Sequence, residues 1–336
     1  MERKKSVLTC TLFLFISLAG FKLSFAQATL PENGVAPPKA AKIILNNICV
    51  VDENGKASSP QKIFIENDKF VKSFSNSNGP IQNIDAKGAW LYPSFIHIYS
   101  DYGIHAPSQD RGKYPQFLSA KKGSWYWNQA IRPEINASEF FYPDSNLAKA
   151  YLKAGIGLVL SHSDDGISRG TGVLSFLVED MNQAVFKNYI ASFYALTKGS
   201  SPQDYPSSLM GGIALIRQYF YDIKAYSAAK KQNKEKLNLS LEAALFQSNF
   251  LKVFKSEEKF DLIRIQKIID EFSFNNTLLI GNGMEYQLDK KDILKSKNQF
   301  LAIPLKFPNA IDIKNEWDLE RVAYLELKHW EMAPFN

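Results

Sequence analysis

From Trp90 onward the chain repeats one rhythm, a short apolar run, a loop, and then a stretch whose apolar residues recur every three or four positions. The runs at 90–99, 156–162, 188–196, 250–255, 277–281 and 300–306 are candidate strands. Between them Leu209, Ile213, Ile216, Phe220 and Ile223 fall on one helical face, as do Leu262, Ile265, Ile268, Ile269 and Phe272. Parallel neighbours need a long connection, and an amphipathic helix supplies it, so the pattern predicts parallel strands joined by right-handed crossovers. A further helix is predicted over about 316–331. A closed (β/α) barrel takes eight strands, and these six fall short of it.

Residues 41–89 read differently. Short β-branched and aromatic runs are broken by turn chemistry, Asn54-Gly55 at one point and Asn67-Asp68 between Ile63-Phe64-Ile65 and Phe70-Val71 at another. Hairpin turns with positive φ favour such pairs, so a small antiparallel β unit is predicted.

The first 26 residues carry a basic cluster, an apolar stretch from Val7 to Gly20, and the small residues Ser24 and Ala26 flanking Phe25. This is the layout of a secretory signal cleaved after Ala26, and the apolar stretch is shorter than the ~20 residues of a membrane span. A secreted or periplasmic chain with no stable membrane span is therefore expected. A lipid-anchored form is not, because Cys10 sits early and follows Thr9. Residues 27–40 are rich in Pro and small residues and read as a leader. After cleavage Cys49 is the one cysteine left, which rules out an internal disulfide. Of the net charge of +6, setting aside Arg3, Lys4, Lys5, Lys22 and Glu2 leaves +3. That is too little to argue for a nucleic-acid partner. The lysine-rich "AAKKQNKEK" reads as a solvated helix end.

The stretch "IQNIDAKGAWLYPSFIHIYSDYG" has a layout of its own: a short β unit, then "IDAKG", apolar residues, a Pro, and a first strand. It resembles the amidohydrolase superfamily, imidazolonepropionase-like proteins in particular. "WNQAIRPEI", "SHSDDGISRGTG", "KGSSPQDYPSSLMGGIALIRQ", "GNGMEYQL", "PLKFPNAIDI" and "LKHWEMAPFN" extend the resemblance over about 41–336, to the N-terminal half of large secreted amidohydrolases of Bacteroidetes type. The resemblance implies an α/β fold, a small β-sandwich unit at 41–89 followed by an incomplete (β/α) TIM-like barrel of metallo-dependent hydrolase type at 90–336. It also implies that the remainder of a longer chain is the partner that completes the barrel.

In the family, two histidines on this strand hold a divalent metal, zinc, whose bound water becomes a hydroxide nucleophile. Here Pro93 matches the motif, Ser94 replaces a Gly, His97 takes an Asp position, and Tyr99 and Asp101 stand where the histidines belong. Strand alternation puts 97, 99 and 101 on one face. A phenol with a pKa of about 10 is a poor ligand at neutral pH. Three readings follow: an intact metal site, a changed site that uses Asp101, and a structural strand end in which Tyr99 and Asp101 pair by a hydrogen bond. In the third, this segment alone holds no metal.

His162 and Asp164 follow the second strand at the end where barrel enzymes place working residues, and are the candidate catalytic pair; the alternative is a hydrogen-bonded loop. Tyr99, Arg169, Asn282 and Glu285 are candidate binding residues, with Arg169 and the following "GTG" read as a turn able to meet an anion. His105 reads as exposed, His329 as capping or packing a helix end, and Trp125, Tyr126 and Trp127 as a loop anchor or a substrate mouth. Two functions are compatible with these readings. One is a hydrolase of C–N bonds in amides or cyclic amides, acting on an undefined small molecule. The other is a non-catalytic amidohydrolase-like scaffold or binding module that supports an active neighbour.

Overall fold

The computed structural model describes residues 42–304, apart from 53, 68, 76–79, 108, 110, 111 and 235. The proposed signal, leader and 316–331 helix, and His329, lie outside these residues. The chain divides into two compact units, the first ending at Pro93 and the second beginning at Ser94.

The first unit holds one sheet. Strand β1 (Lys42–Val50) pairs antiparallel with β2 (Gln61–Glu66), which pairs antiparallel with β3 (Lys69–Val71). On its other side β1 runs parallel to β4 (Ile81–Asp85) and, further along, to β5 (Trp90–Leu91). Asn67 takes a φ of 50° and turns β2 into β3, and Gly55 turns at 78°, as the sequence predicted. The expected antiparallel pairing is corrected, since β4 and β5 both run parallel to β1. The described residues make one mixed sheet, because the chain returns to β1 by connections long enough to enter in the parallel sense.

The second unit is built on a seven-stranded sheet: β6 (Phe95–Ser100), β7 (Ile156–Ser161), β8 (Ser168–Phe176), β9 (Val185–Tyr194), β10 (Leu251–Lys255), β11 (Thr277–Ile280) and β12 (Gln299–Ala302), adjacent in chain order. The candidate strand 90–99 is split in two, since Pro93 offers no N–H to a ladder. All-parallel pairing is also corrected: β8 runs antiparallel to both β7 and β9, while the other pairs are parallel. Six residues separate β7 from β8, too few for a crossover, so the chain folds straight back.

Consecutive strand residues point to opposite faces. Tyr194, Phe254 and Leu279 face one layer, where helix α1 (Leu209–Lys231) contributes Leu215, Ile216, Tyr219 and Phe220 and helix α2 (Asp261–Phe272) contributes Leu262, Ile265, Ile268 and Phe272. Each such fully buried side chain stabilises the fold by roughly 1.5–3 kcal/mol. Their neighbours Phe193, Val253 and Leu278 face the other layer, joined by Tyr99, Leu160, Leu174 and Ala302. Every strand of the sheet reaches this second cluster. A flat sheet would separate β6 from β12 by roughly 29 Å, yet both strands line one cavity of about 690 Å³. The sheet is therefore curled, with β6 and β12 as its edges among the described residues.

Candidate functional site

The parallel strands end at one rim of the curled sheet, and the β7–β8 hairpin lies on that rim. Because β8 is antiparallel, its first residues sit beside the last residues of its neighbours. This is how Arg169 comes to meet Tyr99 of β6 and Lys255 of β10 around Asp164. The Tyr99 hydroxyl donates to Asp164 Oδ1 at 2.8 Å. Arg169 Nη1 donates to the Tyr99 oxygen at 2.6 Å and forms an ion pair with Asp164. Lys255 Nζ is 3.2 Å from Asp164 Oδ2 and 5.6 Å from the Tyr99 ring centre. Arg169 Nε donates to the Gly166 carbonyl at 2.9 Å, fixing the guanidinium from behind.

Burial pushes Asp164 toward the neutral acid, but Arg169, the Tyr99 hydroxyl and Lys255 outweigh it and hold the carboxyl below its ordinary range. Burial raises the Tyr99 phenol far above its ordinary value, against the pull of Arg169. The cluster is thus a neutral phenol bridging a carboxylate and a guanidinium.

His162 lies fully buried beneath it. Its ring stacks on Phe193 at 3.9 Å and meets the edge of Tyr99 at 4.3 Å. Nδ1 is 2.9 Å from the Ser163 carbonyl, which accepts only, so Nδ1 carries the proton and Nε2 the lone pair. Nε2 has no hydrogen-bond partner among the described residues. Burial, foremost, lowers the His162 pKa to about 4, so the ring is neutral at neutral pH.

Next to this cluster is a second one, which fixes the hairpin. Asp165 accepts from Gln109 at 2.9 Å, from Arg132 at 2.8 Å and from both the backbone and hydroxyl of Ser200. Gly170, with φ at 81°, packs so closely that a Cβ would lie 1.9 Å from the Ile135 carbonyl oxygen.

The remaining sequence candidates go elsewhere. Asp101 stands exposed one residue past the end of β6, so it leaves the strand face shared by 97 and 99, and Tyr99 pairs with Asp164 in its place. His97 lines the apolar cavity, and His105 is exposed. Glu285 accepts from the backbone N–H groups of Asn282 and Gly283, while Asn282 accepts from Met284; both residues close their own loop. The "RGTG" segment belongs to the start of strand β8 rather than to a turn. Tyr126 is buried with its hydroxyl on Asp222 at 2.7 Å, as a loop anchor would be. Lys255 was not singled out from the sequence, although its place at the end of a predicted strand was a usable signal.

Among the described residues the donor set does not suit a hydrolytic metal. No group of three or more His, Cys, Asp or Glu residues among the described residues could hold an ion. Tyr99 keeps its proton, and Asp164 is held by two cations. Nε2 of His162 is a single free lone pair, whereas a catalytic zinc takes three protein ligands.

No protein-family model matches the chain. No curated protein matches it either. Among solved structures the chain is similar to an amidohydrolase from Thermotoga maritima, with a TM-score of 0.57 and 19% identity over 87% of this chain and 76% of that one. At this identity the likeness is one of fold. No helix of the described residues is long and apolar enough to cross a membrane.

Proposed function

We propose that this chain is an amidohydrolase-fold module, with the small β unit preceding an incomplete TIM-like barrel, that binds a small molecule at the rim of its curled sheet without first-strand metal hydrolysis. The observation that carries this reading is the Tyr99–Asp164–Arg169 cluster. It fills the rim with mutually satisfied partners at the position where the family resemblance would put metal ligands. The apolar cavity beside Tyr99 lies between the edge strands β6 and β12 and has the size and character of a small-molecule site, with the chain that completes those edges forming its remaining wall. Export after cleavage at Ala26, and completion of the open edges of β6 and β12 by chain outside the described residues, belong to the same proposal and rest on sequence reasoning.

A second reading, a hydrolase of C–N bonds, is supported by the fold likeness and by the partnerless Nε2 of His162. On this reading the metal ligands come from outside the described residues. The two readings part in one experiment. The whole chain is incubated with zinc and a panel of cyclic amides and N-acyl amino acids, with binding followed by ligand-observed NMR and turnover by mass spectrometry. Binding without turnover supports the module; turnover abolished by His162→Gln overturns it in favour of the hydrolase.

A further inference from the structure

Helix α1 packs one stripe against the sheet and carries Asp222, Ala225, Tyr226 and Ala229 on another face, at the helical spacings that make them neighbours. The segment that holds Trp125 and Tyr126 lies against this face. It is fixed there by the Asn238 carboxamide, which donates to the Trp125 carbonyl at 3.2 Å, and by the Leu239 N–H, which donates to the Ser124 carbonyl at 2.7 Å. Ala225 and Ala229 carry only a methyl each, so a groove of about 460 Å³ stays open between helix and segment, lined by Trp125, Tyr126 and Tyr226.

Asp222 is the one carboxylate in the groove wall among the described residues. Its oxygens accept from the Tyr126 hydroxyl at 2.7 Å and from the Gln218 carboxamide at 2.6 Å. Both donors are neutral, and no cation among the described residues forms an ion pair with Asp222. The neighbouring Glu242, by contrast, is taken by Lys230 at 2.5 Å. A carboxylate without a counter-ion therefore stands beside aromatic rings, whose faces attract cations as well. Trp125 already draws one from outside the groove, with Lys121 Nζ 5.3 Å from its ring centre.

The partners of Asp222 also select the kind of cation. Each of its oxygens already accepts a hydrogen bond, so it offers charge more readily than lone pairs. A primary ammonium brings three N–H groups that need acceptors, and it would give up water for too few of them. A quaternary ammonium has no N–H to satisfy and asks only for charge and apolar contact, which aromatic walls supply. We propose that this groove binds a quaternary ammonium group of the choline type, with its methyls against Trp125 and Tyr226 and its charge facing Asp222. The proposal does not rest on the reading of the rim.

The test titrates the whole chain with choline and with the neutral alcohol in which carbon replaces the choline nitrogen, at matched ionic strength, and follows binding by saturation-transfer NMR. Choline is expected to bind about tenfold more tightly than the alcohol. Asp222→Asn keeps an acceptor for Tyr126 and removes the charge, so choline should weaken about fivefold while the alcohol does not change. Trp125→Ala should weaken both; should that variant not fold, Asp222→Asn decides alone. Lys236, exposed in the same wall, is a like charge, and Lys236→Gln should leave choline bound as tightly or more tightly. Cosedimentation with phosphatidylcholine vesicles that is lost in Asp222→Asn would assign the group to a lipid headgroup, and choline binding without it to a soluble ligand. Equal affinity for choline and the alcohol, choline binding unchanged by Asp222→Asn, or weaker choline binding in Lys236→Gln overturns the proposal.

Discussion

The hydroxyl of Tyr99 donates to the carboxylate of Asp164 at 2.8 Å, across 65 positions of sequence. The bond ties the first strand of the curled sheet to the hairpin after the second. It also gives the phenol a structural role on the strand face where the family resemblance puts a metal ligand. Tyr99→Phe removes this donor and the oxygen that Arg169 reaches, while Arg169 and Lys255 still hold Asp164. The variant should lose about 1–2 kcal/mol in urea unfolding with an unchanged slope. A loss near zero would mean the bond is not formed in solution.

Asp164→Ala should cost more, because it leaves Arg169 buried beside no carboxylate. The Arg169 side chain is 3% exposed and that of Asp164 is 38%, so water screens part of the pair. About 2–3 kcal/mol is expected, below the range for breaking a fully buried pair. Adding Arg169→Met should recover part of the loss, and the double-mutant cycle measures the coupling.

Gly170 next to Arg169 adopts a left-handed φ and leaves no room for a side chain. Gly170→Ala should therefore destabilise by about 3 kcal/mol or more, through strain and overpacking together. The chemical shift of the Arg169 Nε–H should move in any fraction that folds.

Acid sensitivity should have two windows. Folding lowers the pKa of His162 to about 4, whereas in the unfolded chain it returns to about 6.5. Between these values the unfolded state binds more protons, so stability present above pH 6.5 is lost as the pH falls toward 4, by up to about 3 kcal/mol. Asp164 and Asp165 are also lowered, and their contribution disappears only below the ordinary carboxylate value, as the pH drops through their folded pKa values. His162→Gln should shrink the upper window to the part that His97, also lowered by burial, contributes, and leave the lower one, which urea midpoints between pH 7 and pH 3 would show.

Much of the frame was legible in the sequence because periodicity is a local signal. Ile216 and Phe220 are buried as predicted, although the buried stripe of α1 runs through Leu215 and Tyr219 as well, and Leu209, Ile213 and Ile223 pack at its margin. Strand β8 went unrecognised because Ser168-Arg-Gly-Thr-Gly reads as a turn; the apolar run from Val173 to Leu177 was the available clue. His162, Asp164, Arg169 and Tyr99 were each visible as candidates. Their assembly depends on the reversed direction of β8, which no spacing encodes. Tyr99 was matched instead with Asp101, two residues on, because strand alternation is the only pairing that local sequence offers.

The most direct test of the account is the metal content of the whole chain after loading with zinc and exhaustive desalting, read by mass spectrometry. The account predicts no stoichiometric zinc dependent on Tyr99, Asp101 or His162, and the same value for Tyr99→Phe and Asp101→Ala as for the parent. One retained equivalent that disappears with Asp101→Ala, or zinc bound to the oxygen of Tyr99, would contradict it.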